Sequence, residues 1–139
     1  MRIHIIAGGR FRPGPERDLY ERYAERINPK PLLKEARDSR ALRAAIPKGA
    51  LVAALDEKGK ALSSRALAAK IGEWRGLGGR DLAFLIGGDD GLDEGVLKGA
   101  GLVLSLGSMT WPHLLARGML AEQLYRAQCI LSGHPYHRE

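Results

Sequence analysis

The chain contains one cysteine, Cys129, so no disulfide can form within it, and cysteine usage leaves the redox compartment open. No apolar run approaches the roughly 20 residues that a membrane helix requires. The first apolar run, Ile3 to Ala7, is too short for the core of a signal peptide, so the cytoplasm is the default expectation. The Gly-x-x-x-x-Gly-Lys-Ser/Thr phosphate loop is absent. Gly87-Gly88-Asp89-Asp90-Gly91 departs from the dinucleotide fingerprint, and its two acids would repel a pyrophosphate. No metal set stands out. His134 and His137 flank Pro135-Tyr136, which cannot keep helical spacing, and neither a cysteine nor an acid pair completes a ligand group. Linkers, internal repeats and low-complexity segments are also missing.

What is present is an ordinary globular composition, 45% hydrophobic and 27% charged, carrying a formal charge of +6 and a pI near 9.8. At 139 residues the chain suffices for one domain with a real core. The basic balance favours a polyanionic partner, RNA or DNA first.

Arg2 to Ala7 reads as a strand, followed by the turn-rich loop Gly8 to Pro15. Glu16 to Ile27 places Leu19, Tyr20, Tyr23 and Ile27 on one helical face. Leu32 to Ala36 is a short strand, and Ser39 is placed to cap a helix through Leu42 and Ile46. Ala50 to Leu55 is a buried strand that exits into an Asp56–Lys60 turn. A helix capped at Ser63 or Ser64 precedes the strand at Leu82. A short helix from Asp93 or Glu94 precedes the strand at Leu102. Pro112 fits the first turn of a final helix, and Gly133 stops it. The order βαβαβαβαβα, with apolar rather than alternating strands, predicts a single α/β domain over residues 1–139, its mostly parallel sheet covered by helices.

Ligands in open α/β sheets bind beyond the carboxyl ends of the strands. Three such ends carry small-residue or turn signals: Leu55-Asp56, Gly87-Gly88 and Leu106-Gly107-Ser108. Together they predict a shared pocket for a nucleoside lacking phosphates, its adenine and ribose held by backbone groups and by Leu55, Ile86, Leu106 and Met109. Cys129 reads as a small buried hydrophobe, and Asp89 and Asp90 as helix caps or loop supports. The tail carries His134, Tyr136, His137 and Arg138, stiffened by Pro135; these residue types suit stacking on a base and pairing with phosphate.

Leu82–Gly91, Leu104-Ser105-Leu106-Gly107-Ser108-Met109-Thr110-Trp111-Pro112-His113, Glu122–Ala127 and Gly133–Arg138 together resemble the RlmH-type ribosomal RNA large-subunit methyltransferases of the SPOUT superfamily. The resemblance spans nearly the whole chain and is strongest after Ala50. It implies a SPOUT-type sheet with a C-terminal trefoil knot, an exception to unknotted topology. It also implies S-adenosylmethionine as cofactor and methylation of pseudouridine N3 in a subunit-interface stem-loop of 23S rRNA. The working unit it implies is a homodimer with each pocket near the partner's tail. Matched by motif, the cofactor residues are Leu55, Gly87, Leu106, Gly107, Ser108, Met109, Thr110 and Trp111. His134, Tyr136 and Arg138 are the catalytic candidates, and His113 and Arg117 also match family positions.

The proton on pseudouridine N3 requires a base, for which the resemblance offers His134 or Tyr136. Arg138 or Arg117 would hold negative charge on the ring. Arg10, Arg12 and the basic residues between Arg26 and Arg43 are candidates for rRNA phosphates. The chain departs from the family in two places. Gly107 replaces a frequent serine, which removes a hydroxyl but keeps a main-chain N–H for the cofactor. The Asn28–Ile46 region is shorter than usual. Gly118, inside the last helix, is read as a close helix–helix approach in the dimer. Two other readings compete: a non-catalytic RNA-binding or ribosome-assembly protein, and a small-molecule hydrolase using Asp89 and Asp90.

Overall fold

The computed structural model describes residues 1–139. Five strands, β1 (Ile3–Gly8), β2 (Leu32–Ala36), β3 (Leu51–Lys60), β4 (Leu82–Ile86) and β5 (Leu102–Leu104), form one sheet in the order β2-β1-β4-β3-β5. Every pairing is parallel. Between them run α1 (Pro15–Ala24), α2 (Ser39–Ala44), α3 (Ser64–Arg75) and α4 (Glu94–Gly99), and α5 (His113–Ser132) follows β5.

The two-residue period of a strand sorts side chains to the two faces. Ile5, Ala7, Leu82, Phe84 and Ile86 join the larger core with Tyr20 of α1, Leu67 and Ile71 of α3, and Leu120 and Leu124 of α5. Ile6, Ala83 and Leu85 pack with Leu42 of α2 and Val96 of α4. Both faces are therefore covered, which is why these strands lack a polar side. β2 is the exception. It lies at the sheet edge and exposes Leu32, Lys34 and Glu35.

Local departures from the sequence expectation have simple causes. The caps of α2 and α4 are Asp38, accepting from the Ala41 N–H at 2.8 Å, and Asp93, accepting from the Val96 N–H at 2.9 Å. Ser39 is the first residue of α2 rather than its cap, and Asp89 and Asp90 cap nothing. α1 ends at Ala24, three residues before Ile27, though Ile27 still reaches the core. Pro112 occupies the N-cap position of α5 and precedes its first turn. Beyond Leu55, β3 does turn, with the Lys58 N–H bonded to Asp56 Oδ2 at 3.0 Å. The chain then returns to the sheet: Leu55 and Lys60 both pair with Leu104, and the intervening residues bulge outward. Gly118 marks a close approach within the chain, since a Cβ there would lie 2.8 Å from Leu19 Cδ2 of α1.

One polar group crosses the larger core. Arg117 of α5 is fully buried. Its guanidinium donates to Glu35 of β2 at 2.6 Å and to the carbonyls of Gly8 and Gly9 at 2.9 and 3.0 Å. It also lies 4.4 Å from the centroid of the Phe11 ring. Glu35 accepts from the Phe11 N–H as well. The final helix, the end of β1, the loop after it and the edge strand thus converge on one cation. Arg117→Met is expected to destabilise the fold by about 2–3 kcal/mol, because two carbonyls and a carboxylate lose their donor. Urea denaturation measures this, and a loss under about 0.5 kcal/mol, the surface-substitution range, would contradict the role.

Candidate functional site

The carboxyl ends of β3, β4 and β5 open into a cavity of about 620 Å³, within the range of small-molecule sites. Its apolar wall includes Leu55, Ile86, Leu104, Leu106, Met109 and Trp111; its polar wall includes Asp56, Glu57, Asp89, Asp90, Thr110 and His113. No lysine or arginine lines it. A chain with a formal charge of +6 therefore keeps an acidic hollow at its strand ends.

Backbone packing shapes this hollow. A Cβ on Gly87 would fall 2.4 Å from the Gly91 carbonyl carbon, and one on Gly8 would fall 2.6 Å from Gly88 N. The loop after β4 is thus folded tightly on itself and against the end of β1, whose carbonyl Arg117 holds. Gly107 has φ +122° and Gly91 has φ +74°, conformations that side chains disfavour. Glycine at 107 therefore answers a backbone requirement.

Ser105 is buried and sets the loop after β5. Its hydroxyl donates to the Gly107 carbonyl at 2.7 Å and accepts from the Gly107 N–H at 3.1 Å. The Gly107 N–H is thereby bonded within the protein. Thr110 donates to Glu57 at 2.7 Å and joins this loop to the β3 bulge. Trp111 Nε1 donates to the Leu106 carbonyl at 3.4 Å. Met109 is 71% exposed and Trp111 39% exposed, so both form an apolar rim. His113 opens α5, with Nε2 2.9 Å from Asp89 Oδ1 across the mouth.

Seven of the eight residues expected to hold a cofactor meet in this cavity: Leu55, Gly87, Leu106, Gly107, Met109, Thr110 and Trp111. Ser108 belongs to the same loop but does not line the hollow. Arg117 cannot reach a substrate, because it is fully buried and spent on Glu35 and two carbonyls. Sequence reasoning missed Ser105, Glu57 and the α5 residues that hold the tail. A lone small polar residue closing an apolar strand was the available signal for Ser105.

His134, Tyr136 and Arg138 lie elsewhere. α5 has 20 residues, a length of roughly 30 Å; its first residue borders the cavity and the tail leaves from its far end. Gly133, at φ +79°, closes the helix, and the chain folds back along it. The Tyr136 hydroxyl donates to Glu122 at 2.6 Å. Burial and then the Glu122 carboxylate raise the pKa of this hydroxyl well above the usual tyrosine value, so it remains a proton donor. Burial opposes ionisation of Glu122, but Arg126 and the Tyr136 hydroxyl outweigh it and hold the carboxyl below its ordinary value. With its folded value lowered, the stabilisation from this carboxylate is complete above about pH 4.3, the ordinary glutamate value, and fades as pH falls through the lowered one. The exposed His134 accepts the Tyr136 N–H on Nδ1 at 3.2 Å. A neutral imidazole so placed carries its proton on Nε2 and offers a donor. Arg138 is exposed.

The "Predicted SPOUT methyltransferase" family model matches residues 1–137. The chain belongs to this family of methyltransferases. It is 50% identical over 151 residues to the "Ribosomal RNA large subunit methyltransferase H" of Rhodospirillum centenum, covering 99% of each chain. It is also 50% identical over 139 residues to the protein of that name from Rhizorhabdus wittichii, covering 100% of this chain and 99% of the relative. Among solved structures it is similar to "a probable methylase family protein from Haemophilus influenzae Rd KW20", with a TM-score of 0.63 at 10% identity, covering 99% of this chain and 70% of the other. A structure described as giving insights into the 2-OH methylation of C/U34 on tRNA matches with a TM-score of 0.52 at 17% identity, covering 91% of each chain. These last two likenesses concern the fold. The methyltransferase has no helix long and apolar enough to cross a membrane, and no group of three or more His, Cys, Asp or Glu arranged to hold a metal ion.

Ser105→Ala is expected to lower the stability of this SPOUT methyltransferase by about 1 kcal/mol and to speed amide exchange at Gly107, whose N–H loses its acceptor. Unchanged exchange at Gly107, measured by nuclear magnetic resonance, would refute the hydroxyl's role.

Proposed function

We propose that this SPOUT methyltransferase uses S-adenosylmethionine to methylate N3 of a pseudouridine in 23S rRNA, at the subunit-interface stem-loop of assembled ribosomes in the cytoplasm, and that it works as a homodimer. The observation that carries the cofactor reading is the acidic cavity in a basic protein. S-adenosylmethionine brings a sulfonium, an ammonium and one carboxylate, a net charge of +1, and no phosphate. Carboxylates at Asp56, Glu57, Asp89 and Asp90 favour those cations and disfavour nucleotides. The apolar side chains and the close glycine backbone suit an adenine ring. The relatives' printed name supports rRNA as the substrate. The net charge of +6 supports a polyanionic partner.

When bound, the cofactor supplies the electrophilic methyl group. The chain's own residues do the rest. Leu106, Met109 and Trp111 exclude water from one side of the site. Because none of His134, Tyr136 and Arg138 lines its own chain's cavity, a second copy brings His134 and Arg138 to the reacting ring. The Nε2–H of His134 and the guanidinium of Arg138 stabilise negative charge on the ring carbonyls as N3 loses its proton to solvent. His134 thus serves as a donor in place of the base expected from the sequence. The knotted path of the C-terminal segment belongs to the same reading.

Three measurements test it. Labelled S-adenosylmethionine incubated with ribosomes from cells lacking this modification should place label on pseudouridine of the large-subunit RNA. Label absent while the cofactor binds would refute the target, and absence of both would favour a non-catalytic RNA-binding protein. In calorimetry, S-adenosylmethionine should bind about 5–10-fold more tightly than the demethylated product, which keeps the ammonium and carboxylate but lacks the sulfonium charge, at low salt; this difference of about 1 kcal/mol shrinks as salt rises. Equal affinities would remove the electrostatic argument. His134→Ala should lower turnover at least about ten-fold, the scale of a lost charge-stabilising donor, with cofactor affinity unchanged. Wild-type turnover would exclude His134.

A further inference from the structure

The tail contributes no side chain to either hydrophobic core, and a chain terminus with glycine and proline is ordinarily mobile. Ordering each of its residues costs about 1–2 kcal/mol of backbone entropy. Here that cost is met by a charged cluster on α5. Arg126 donates to Glu122, one turn away, through Nε at 3.3 Å and Nη2 at 2.6 Å. Its remaining arm, Nη1, lies 3.0 Å from Nδ1 of His137. A guanidinium only donates, so His137 accepts there. The Tyr136 ring lies between the Arg126 guanidinium, 4.8 Å from its centroid, and the Tyr125 ring, 4.7 Å away and edge-on. Its hydroxyl returns to Glu122 at 2.6 Å. The Glu122 and Arg126 side chains are only 19% and 21% exposed, so their pairing is shielded more than a surface ion pair and is charge-assisted.

We infer that Glu122 and Arg126 are positioning residues that clamp Tyr136 and His137 and so present His134 and Arg138, as one preset surface, to the RNA. This rests on the reading that the tail serves methyl transfer. Both clamp residues stand outside the acidic cavity, although Glu122 lines a neighbouring hollow that shares Leu104, Leu106 and Gly107 with it, so cofactor affinity is measured alongside turnover. The division also explains why the tail's aromatic side chain is half-buried while its neighbours His134, Pro135 and Arg138 are exposed. Tyr136 and His137 are anchors, and the residues around them are what the anchors hold in place.

The test uses the full chain with S-adenosylmethionine and unmodified ribosomes, and compares Glu122→Gln, Glu122→Ala, Tyr136→Phe and the Glu122→Ala/Tyr136→Phe double variant. Glu122→Ala should lower kcat/KM for ribosomes about ten-fold or more and leave the cofactor Kd within about two-fold, as expected for a group acting through others. Glu122→Gln still accepts the tyrosine hydroxyl and should recover to within about three-fold of wild type. The double variant should lose no more than Glu122→Ala alone, because coupled partners are not additive. Backbone 15N relaxation provides a readout independent of activity: residues 134–138 should be ordered in the wild type and mobile in Glu122→Ala. An immobile tail in Glu122→Ala, additive losses, a Glu122→Gln variant as impaired as Glu122→Ala, or a mobile tail with wild-type turnover would each overturn the inference. Should Glu122→Ala fail to fold, Tyr136→Phe and Glu122→Gln carry the same comparison. A wild-type protein that methylates no ribosome would instead refute the underlying function, and the relaxation measurement would still decide whether the clamp exists.

Discussion

The buried guanidinium of Arg117 is the constraint on which the site depends. It satisfies the carbonyls at the end of β1, neutralises Glu35 on the edge strand and sits over Phe11. Once the end of β1 is fixed, the loop after β4 has one place to go, because Gly8 and Gly88 meet backbone to backbone. That loop is a wall of the acidic cavity, and α5, which carries Arg117, contributes His113 to the cavity's mouth. A single cation thus links the last helix to the end of β1, the loop after it and the edge strand, and through Gly8 to the loop after β4. The arrangement explains how a short edge strand with little buried apolar surface remains part of the sheet.

The electrostatic pattern divides the molecule's work. A basic chain suits a polyanion, yet the strand-end hollow is lined by four acids and by no lysine or arginine. The two partners of the proposed reaction, a cationic cofactor and an anionic RNA, are therefore sorted by charge to different parts of the surface. In the proposed reaction the tail belongs to the RNA side of this division. Its pose is set by Glu122 and Arg126, near the middle of the same helix that frames the cavity.

Much of the fold was legible because buried parallel strands leave a plain mark: apolar runs at Ile3, Leu51, Leu82 and Leu102 ending in glycine or aspartate. The cavity was legible for the same reason, since Leu55, Gly87 and the Leu106–Trp111 loop all stand at strand ends. The β3 bulge was not, because Asp56 to Lys60 has ordinary turn chemistry and only pairing to Leu104 draws the chain back into the sheet. Arg117 carries no local mark of burial: a charged residue in an amphipathic helix reads as solvent-facing until its three acceptors are assembled from remote segments. The tail's internal division was hidden too, because Tyr136 and His134 differ by partners more than ten residues away or by one main-chain bond. The role of glycine at 107 required a backbone angle that residue type alone does not disclose.

In the proposed homodimer each cavity works with the tail of a second copy. Mixing two inactive forms tests this: a chain with Gly87→Leu, whose side chain would collide with the Gly91 backbone and break the cavity wall, and a chain ending at Gly133, which lacks the tail. Refolded together, they should regain methyl transfer to ribosomes, because one of the two sites in each mixed dimer then combines an intact cavity with an intact tail. Mixed dimers that form, bind cofactor and remain inactive would contradict the account.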